Sequence, residues 1–439
     1  MSPRPIRLGV VGTGYVGLTT GACFAHLGHH VVCGDIDQRK VDLLNEGHIP
    51  IVEDGLEQMV NESRAANRLG FVLGAEAAAT DADVVFLCVP TPQGSDGSAD
   101  LSYIEQAAQQ IAPVLKPGAV VVNKSTVPVG STIVVEQALQ RDDVSVVSNP
   151  EFLREGTAVS DFLHPDRVVI GSADVAAAER VADLYAGIDT QIHITDPASA
   201  ETIKYAANGF LAMKISFVNA VAAMCEAVGA DVAAVVEGIG SDQRIGRQFL
   251  RPGPGWGGSC FPKDSQALVK IAEQHGYNFT MMRGVIDVND EQRERMVHKI
   301  VAAANRPDGD LTGITVGCLG LTFKAGTDDL RDSPSLAIID ELRAAGAVIR
   351  AFDPTTAGEL SPLQQQMLAG IELVADPLGV ADEAHVLALF TEWPEFAKID
   401  LAELAARAGA GTTIVDTRNL LDPDEVRRSG LGYDGVGRK

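Results

Sequence analysis

The segment from Phe249 to Asp264 is the part of the sequence that most strongly indicates covalent chemistry. It reads FLRPGPGWGGSCFPKD and carries several glycines directly before Cys260. A glycine-rich loop lets the backbone come close to a ligand, and Pro262 favours the start of a helix just after the cysteine. Because a helix N-terminus stabilises a thiolate, we predict that Cys260 is a nucleophile rather than a buried spectator.

Three polar residues extend this set. Asp264 follows Cys260 by four positions, so both share one face if a helix begins there. Lys204 and Asn208 have the same spacing within a long helical stretch. By themselves, a surface lysine and a cap-type asparagine explain that pair equally well. Together the residues supply a thiolate, a carboxylate, an ammonium and an amide.

These four groups suit the oxidation of an alcohol to a carboxylate. A thiolate can trap an intermediate aldehyde as a thiohemiacetal, which a second hydride transfer converts into a thioester. Lys204 and Asn208 can hold the developing oxyanion. Asp264 can position or activate the water that releases the acid. The predicted chemistry needs a hydride acceptor, which the N-terminal region indicates.

The segment VVGTGYVG places Gly12, Gly14 and Gly17 in GxGxxG register, after a predicted strand and at the start of a helix. This arrangement holds the pyrophosphate of a dinucleotide at the helix N-terminus. Asp35 ends the next strand about 20 residues later, where a carboxylate binds the ribose and repels a 2′-phosphate. NAD is therefore favoured over NADP. Lys40 fits a ribose contact or an exposed helix lysine equally well.

Two threonines follow apolar runs in the same region. Thr91 lies in VPTP and Thr126 in KSTVPVG. Ligands of such sheets lie beyond the carboxyl ends of the strands, but ordinary turn chemistry explains either threonine as well.

The elements that must position these residues alternate between strands and helices. Apolar runs such as VVFLCV suit strands buried on both faces of a parallel sheet. From Ala200 to Ala230 a helix of about 30 residues is predicted; it is a subunit interface, a long core helix, or both. The predicted strands are Ile6–Gly12, His30–Ile36, Asp83–Val89, Ala119–Lys124, Val144–Ser148, Arg167–Gly171, Ile314–Leu321, Val348–Asp353, His385–Phe390 and Thr413–Asp416.

We therefore predict two Rossmann-like, doubly wound parallel-sheet α/β domains joined by a long central helix. Residues 1–198 form the dinucleotide-binding domain, 199–300 the central helical domain and 301–439 a second Rossmann-like domain. Ser333 caps a further helix, with proline in its first turn.

Composition limits the partners and the compartment. The net charge of −24 disfavours nucleic acid and anionic membranes as partners. We expect no metal site, because no metal-ligand spacing occurs among the cysteines. No signal peptide and no uncharged apolar run of membrane-spanning length is recognised, so a cytoplasmic protein with reduced thiols is expected. The five cysteines expected in the core are Cys23, Cys33, Cys88, Cys225 and Cys318.

Ordered motifs run along nearly the whole chain: GTGYVG, KSTVPVG, NPEFLREGTA, HPDRVVIG, ETIKYAANGFLAMKISFVN, GIGSDQRIG, GGSCFPKD, GLTFKAGTDDLRDSP, TEWPEF and VDTRNLLD. With these motifs the sequence resembles the UDP-glucose/GDP-mannose dehydrogenase family. The resemblance implies oxidation of a sugar C6 twice, with two NAD consumed per turnover.

The resemblance also implies roles for individual residues. Cys260 would be the nucleophile, with Lys204, Asn208 and Asp264 completing the catalytic group. Thr126 and Glu151 would organise a catalytic water. Implied cofactor contacts are Gly12, Gly14, Tyr15, Val16, Gly17, Asp35, Lys40, Thr91, Thr126, Glu155, Lys263 and Arg331. Implied substrate contacts are Glu151, Phe152, Leu153, Arg154, Glu155, Lys204, Asn208, Arg244, Phe249, Leu250, Arg251, Pro252, Gly253, Gly257, Lys324 and Arg418.

Within the family, NPEFLREG, HPDRVVIG and TEWPEF resemble the branch that oxidises UDP-glucose to UDP-glucuronate. The same chemistry on GDP-mannose or a UDP-N-acetylhexosamine is the alternative, and an NAD-binding redox regulator without catalysis is a third. Trp256 departs from the family's usual Phe or Tyr, and Thr417 from a common glycine. Arg244 resembles an arginine that reaches the substrate of a neighbouring subunit, which implies a homodimer or a higher homo-oligomer.

Overall fold

The computed structural model describes residues 5–92, 94, 99–358 and 360–438. The outer limits of the first and third predicted domains lie outside these residues. Within the described residues the chain forms two compact units. The first runs up to Ala207 and includes Gln266–Gly276; the second comprises Asn208–Ser265 and the residues from Tyr277 onward.

The described part of the first unit is built on an eight-stranded sheet. Its strands are β1 (Arg7–Val11), β2 (His30–Asp35), β3 (Leu69–Leu73), β4 (Val84–Leu87), β5 (Val120–Asn123), β6 (Ser145–Ser148), β7 (Arg167–Gly171) and β8 (Gln191–Thr195). They lie in the order β3-β2-β1-β4-β5-β6-β7-β8. The strands up to β6 are parallel, whereas β7 meets β6 in antiparallel register at Ser148 and Gly171. The doubly wound sheet is confirmed, with this reversal as an addition.

Helices cover both faces of this sheet. They are α1 (Tyr15–His26), α2 (Gln38–Glu46), α3 (Leu56–Ala65), α4 (Ala75–Ala79), α5 (Ser102–Ile111), α6 (Ser131–Leu139), α7 (Ala158–Leu163) and α8 (Val175–Asp183). Val10 and Phe86 belong to one buried cluster, while their neighbours Val11 and Leu87 belong to another. Successive side chains of a strand point to opposite faces, so both faces are buried, as continuous apolar strands require.

The second unit contains a six-stranded parallel sheet in its described part. Its strands are β9 (Thr315–Leu319), β10 (Val348–Phe352), β11 (Glu372–Leu373), β12 (Val386–Leu389), β13 (Thr413–Asp416) and β14 (Gly432–Gly435). They lie in the order β11-β10-β9-β12-β13-β14. The remaining helices are α9 (Pro197–Val228), α10 (Val232–Gly240), α11 (Phe261–Gln274), α12 (Thr280–Ala303), α13 (Pro334–Ala344), α14 (Pro362–Met367), α15 (Leu401–Arg407) and α16 (Pro423–Arg428). Short 3₁₀ turns are Pro354–Thr356, Pro377–Ala381 and Phe396–Lys398.

Helix α9 confirms the predicted central helix and contributes residues to both units. By length and composition it could cross a membrane, and it is the single such helix found in the described residues. Length and composition alone are weak grounds, because core helices of water-soluble proteins meet the same criteria. Its buried polar side chains favour a protein environment. Those side chains are Glu201, Lys204, Asn208, Ser216 and Asn219.

Four strands escaped prediction because their sequences lack a strand signal. Strand β8 is exposed along nearly its whole length, β11 has two residues, and β14 contains glycine and aspartate. Strand β3 follows α3 after three residues, without a glycine or proline boundary between them. One local detail was wrong: Ser333 precedes α13, but its hydroxyl donates to Leu321 O instead of capping the helix.

His29 provides a test of the first unit's core. Its Nδ1 accepts from the Ile6 amide at 3.3 Å, so Nε2 must carry the proton that bonds Leu184 O at 3.1 Å. Burial lowers the pKa of His29 below its ordinary value of 6.5. The unfolded chain therefore takes up a proton first as the pH falls. The stability that the neutral ring contributes is present above pH 6.5 and is lost below it.

We predict that His29→Gln weakens this pH dependence, since an amide can fill both hydrogen-bond roles without titrating. Its free energy of unfolding should lose the His29 share of the slope below pH 6.5, which is at most about 1.4 kcal/mol per pH unit. Urea midpoints between pH 5 and 7.5 measure this. The control is His48→Gln, at an exposed position. Equal slopes in wild type and His29→Gln would refute the assignment.

Candidate active site

The glycine turn of the first unit has the shape that a dinucleotide requires. The Gly12 amide donates to Gly34 O at 2.8 Å, with a φ of 98° that favours glycine. A Cβ on Gly17 would lie 1.9 Å from Gly12 O, whereas a Cβ on Gly14 would meet nothing within 4 Å. The turn is therefore closely packed at Gly17 and leaves open space at Gly14, at the N-terminus of α1. Tyr15 and Val16 begin that helix.

Asp35 lies at the edge of this turn. Its carboxylate accepts from the Thr13 amide at 3.0 Å, the Thr13 hydroxyl at 2.5 Å and Lys40 Nζ at 3.2 Å. Burial raises the pKa of Asp35, but the hydrogen bonds from Thr13 and Asp37 and the charge of Lys40 bring it below its usual range. Lys40 is thus a partner of Asp35 rather than a solvated helix lysine. The sequence interpretation did not include Thr13, although it lies inside the glycine motif.

Glu53 joins the glycine turn to the segment that follows Glu151. Its carboxylate accepts from the Tyr15 hydroxyl and, at 2.7 Å, from the Gly156 amide. The Tyr15 hydroxyl also donates to Arg154 O at 3.2 Å. The sequence interpretation missed Glu53, because a single acid in a loop carries no motif.

Glu151 and Lys204 form a buried ion pair in the first unit. Lys204 Nζ lies 2.8 Å from Glu151 Oε1, and both side chains are almost fully buried. Glu151 also accepts from the Leu153 amide at 2.6 Å. Burial raises the pKa of Glu151, but the charge and hydrogen bond of Lys204 bring it below its usual range. The anionic form of Glu151 is therefore favoured at neutral pH.

Phe152 packs against two cations, since its ring lies 3.8 Å from the Arg167 guanidinium and 5.4 Å from Lys204 Nζ. The Thr91 hydroxyl donates to Thr126 O at 2.9 Å. The structure therefore brings the two predicted threonines together.

Glu201 anchors the loop after Thr126 to α9. It accepts from the Gly130 amide at 2.6 Å, and from the amide and hydroxyl of Thr132 at 3.0 and 2.8 Å. The sequence interpretation missed Glu201, although its position three residues before Lys204 places it on the same helix face.

In the second unit Cys260 lies directly before α11, as predicted. Its carbonyl accepts the first helical hydrogen bond, from the Asp264 amide at 2.9 Å. The Ser259 hydroxyl lies 3.7 Å from Cys260 Sγ. Cys260 is half-buried, whereas the other five cysteines are buried. The thiol at the helix start is thus the one with solvent access.

Asp264 is fully buried and accepts from two side chains. Asn208 Nδ2 lies 2.6 Å from Oδ2, and Lys263 Nζ lies 2.6 Å from Oδ1. The structure therefore brings Asn208 to Asp264, as expected for a common site. Lys263, predicted as a cofactor contact, is seen paired with Asp264.

Two glycines before Cys260 are required by close contacts with neighbouring residues. A Cβ on Gly257 would lie 2.0 Å from Asp332 O, and one on Gly258 would lie 2.8 Å from the Phe323 ring. These contacts place the thiol loop beside the segment that carries Arg331, which pairs with Asp329 at 2.8 Å.

Gly253 and Arg418 also meet in the second unit. A Cβ on Gly253 would lie 3.3 Å from Arg418 Nη1. Arg418 donates to Phe390 O at 2.7 Å and to Phe323 O at 2.8 Å, which fixes the direction of its guanidinium. Lys324 Nζ lies 5.5 Å from the Phe323 ring. Two predicted substrate cations therefore contact Phe323, Arg418 at its carbonyl oxygen and Lys324 at its ring.

The Phe249–Gly253 loop begins with backbone strain. Phe249 has a φ of 63°, which is unusual for a bulky residue, and its ring lies 6.3 Å from that of Phe261. Leu250 is buried, whereas Arg251 is exposed. Such strain persists where the surroundings impose it, often near ligands.

The side chains of several further predicted residues have partners that are not ligand-binding groups. The Arg244 side chain is 89% exposed and pairs with Asp242 at 2.6 Å, and Arg154 pairs with Asp161 at 2.5 Å. Glu155 is partly exposed on the loop after Arg154. Trp256 is buried, and its indole donates to Ser216 at 2.9 Å. The structure tests none of their roles in ligand binding.

Three family models match the chain in order. They are the NAD binding domain of the UDP-glucose/GDP-mannose dehydrogenase family at residues 6–189, its central domain at 198–291 and its UDP binding domain at 317–423. A UDP-glucose 6-dehydrogenase of Rhizobium meliloti (strain 1021) is 44% identical over 99% of this chain and 100% of its own. One of Bacillus subtilis (strain 168) is 44% identical over 99% of this chain and 98% of its own.

Solved structures of similar dehydrogenases align with nearly the whole chain. A UDP-glucose dehydrogenase from Pyrobaculum islandicum aligns with a TM-score of 0.91 and 36% identity, covering 100% of this chain and 99% of its own. A UDP-D-ManNAc dehydrogenase from Pyrococcus horikoshii aligns with a TM-score of 0.86 and 27% identity, covering 99% of both chains.

The glycine turn, Asp35 and the first sheet define an NAD-dependent oxidoreductase. The three ordered domain matches and the full-length relatives then determine the family. The chain belongs to the UDP-glucose/GDP-mannose dehydrogenase family.

We predict that Asp35→Asn reduces the preference for NAD over NADP about tenfold, because the negative charge that repels a 2′-phosphate is lost. Equilibrium binding of both dinucleotides measures this. Asp37→Asn is the matched control, since asparagine also caps α2 and the same change of one charge is made two residues along the chain. An unchanged ratio of the two affinities in Asp35→Asn would contradict the ribose role.

Proposed function

We propose that this chain oxidises the C6 alcohol of UDP-glucose to the carboxylate of UDP-glucuronate and reduces two NAD in each turnover. The observation that carries the proposal is Cys260, a half-exposed thiol at the start of α11 within a glycine loop. Full-length relatives named UDP-glucose 6-dehydrogenase at 44% identity support the sugar.

The reaction balances as one alcohol, two NAD and one water giving one acid, two NADH and two protons. NAD, when bound at the glycine turn, accepts one hydride in each oxidation. Between the two oxidations the Cys260 sulfur adds to the C6 aldehyde, which gives a thiohemiacetal. The second oxidation leaves a thioester, and water then cleaves the carbon–sulfur bond and restores the thiol. The covalent bond keeps the aldehyde from escaping.

The other catalytic roles remain proposals, supported by family membership. Lys204 and Asn208, one turn apart on α9, stabilise the oxyanion. Asp264 positions or activates water, and Thr126 with Glu151 organises that water. The low pKa of Glu151 supports an acceptor role, because its anion takes hydrogen bonds from a water.

The ligand contacts stay proposals as well. Backbone amides at the glycine turn, with Asp35 and Lys40, hold NAD; Thr91, Glu155, Lys263 and Arg331 complete its site. The Glu151–Glu155 segment, the Phe249–Gly253 loop with Gly257, and Lys324 with Arg418 hold the UDP-sugar. The three-domain division at 198 and 300 and a cytoplasmic location are also proposed.

A substrate panel tests the sugar. UDP-glucose should be turned over in preference to GDP-mannose and to UDP-N-acetylhexosamines, with two NADH formed per acid and the product mass confirming a carboxylate. Preferential turnover of another sugar would favour the alternative substrate. NAD binding without turnover of any nucleotide sugar would instead favour a regulator without catalysis.

We predict that Cys260→Ala abolishes acid formation and leaves NAD affinity nearly unchanged, since the thiol acts on the aldehyde and not on the dinucleotide. Acid is quantified by mass spectrometry and NAD affinity by calorimetry. Cys318→Ala is the matched control, because that sulfur is buried within β9 and should leave kcat nearly unchanged. Acid formation by Cys260→Ala at the wild-type rate would exclude Cys260 as the nucleophile.

We further propose a homodimer formed through α9. Phe210, Phe217, Met224 and Val228 are between 53% and 69% exposed on this helix. The first three repeat every seven residues, which forms one apolar stripe along a helix. A contiguous apolar stripe of this kind marks an association surface. A second copy is the proposed partner, and Arg244 on the same unit would reach the substrate of that copy.

Phe217→Glu should convert the dimer into monomers, because pairing the two stripes would bury its charge. Light scattering after size exclusion measures the mass. Leu363→Glu, at an exposed leucine of α14, is the control and should remain dimeric. A Phe217→Glu protein with unchanged mass would exclude this interface.

A further inference from the structure

Lys124 is a buried cation that makes no ion pair with a carboxylate in the described part of the chain. Its side chain is almost fully buried, and its Nζ bonds the Asn149 amide oxygen at 3.0 Å and the Tyr185 hydroxyl at 3.1 Å. The rings of Phe162 and Tyr185 lie 5.9 and 5.8 Å from Nζ. All of these partners are neutral. Burying an ammonium among neutral groups is costly. The presence of Lys124 at this position therefore indicates a functional role.

Lys124 lies behind both segments that carry the proposed water-organising residues. It directly follows β5, two residues before Thr126. Asn149, which it bonds, lies two residues before Glu151 and donates to Val169 O at 2.8 Å. The lysine therefore ties the end of β5 to the turn that leads into Glu151.

The charge of Lys124 also reaches Glu151. Burial raises the pKa of Glu151; Lys204 contributes most to lowering it, and Lys124 adds to that lowering without touching the carboxylate. Lys124 acts in the same direction on Cys88, whose thiol pKa is raised by burial to about 12. Lys204 and Lys124 thus both lower the pKa of the Glu151 carboxyl.

We propose that Lys124 is a positioning residue, whose buried ammonium, bonded to Asn149 and Tyr185, fixes the Asn149–Glu151 turn and so the place of the Glu151 carboxylate. The proposal rests on the proposed function, because it acts through the role of Glu151. The titratable and charged groups around this pair are Lys204, Cys23, Cys88, Tyr185, Glu53 and Arg167.

Lys124→Met removes the charge and leaves the neighbouring hydrogen bond in place. Tyr185 OH lies 2.7 Å from Asn149 Oδ1, so the amide oxygen keeps a donor. The Glu151–Lys204 pair also stays intact. Removing the charge therefore leaves no buried group unpaired: the cost of burying the ammonium is relieved, while its attraction for the Glu151 carboxylate is lost. The informative quantity is therefore the dependence of the midpoint on pH, not its value at pH 7.

The functional readout is the pH profile of kcat. The acid limb should move upward by a few tenths of a pH unit in Lys124→Met, because Glu151 loses the smaller part of the attraction that keeps it ionised and Lys204 still supplies the larger part. Near that limb kcat should fall about twofold, while the KM for NAD changes little. Lys398→Met, at an exposed position, is the matched control and should keep the wild-type profile.

A second measurement needs no turnover. A carboxylate with a lowered pKa contributes stability above its unfolded pKa, and this is lost as the pH falls. The drop in urea midpoint between pH 7 and pH 4 should therefore be smaller in Lys124→Met than in wild type. In a Glu151→Gln background the two drops should be equal, because the titrating partner is gone.

The outcomes separate the two proposals. An unchanged acid limb, or equal drops in midpoint in wild type and Lys124→Met, would overturn the role of Lys124. Wild-type protein that turns over no nucleotide sugar would overturn the proposed function instead. In that case the midpoint comparison still decides whether Lys124 acts on Glu151.

Discussion

The buried polar face of α9 is the constraint on which the rest of the structure depends. Glu201, Lys204 and Asn208 lie on one side of this helix, and each pairs with a group from elsewhere in the chain. Burying a charge costs several kcal/mol unless it is paired and hydrogen-bonded. The register of α9 is therefore set by these partners as well as by apolar packing, and the loops that they hold carry the proposed site.

Each sheet has the same kind of glycine turn after its first strand, but the aspartate beside the turn has different hydrogen-bond partners in the two units. The Gly320 amide donates to Phe352 O, as the Gly12 amide donates to Gly34 O; Asp35 is the last residue of β2, and Asp353 directly follows β10. Asp353 is fully buried and accepts from the Leu321 amide, Thr322 and the Trp393 indole. Its acceptor sites are thus occupied by its own unit, whereas Asp35 remains partly accessible. This agrees with an NAD binding domain at one end and a UDP binding domain at the other.

Residues within spaced motifs were predictable, and those that act from a distance were not. Cys260 could be found because glycines, a helix start and an isolated sulfur coincide in one segment. Lys204 and Asn208 could be found from helical spacing. Glu53 and Lys124 could not, because their partners lie about 100 and 25 residues away and only the fold brings them together. The sequence therefore indicates the groups proposed to react, whereas the groups that hold them in place are found only from the buried contacts of the folded chain.

The choice of one sulfur among six shows how environment selects a nucleophile. Burial raises the thiol pKa of Cys23, Cys33, Cys88 and Cys318, which keeps those sulfurs protonated. Cys260 alone begins a helix and is half-exposed. A side chain on Gly257 would clash with the Asp332 backbone and one on Gly258 with the Phe323 ring, so the thiol loop must approach both residues closely. The position of the Cys260 thiol is therefore determined by the close packing of the glycine loop that precedes it.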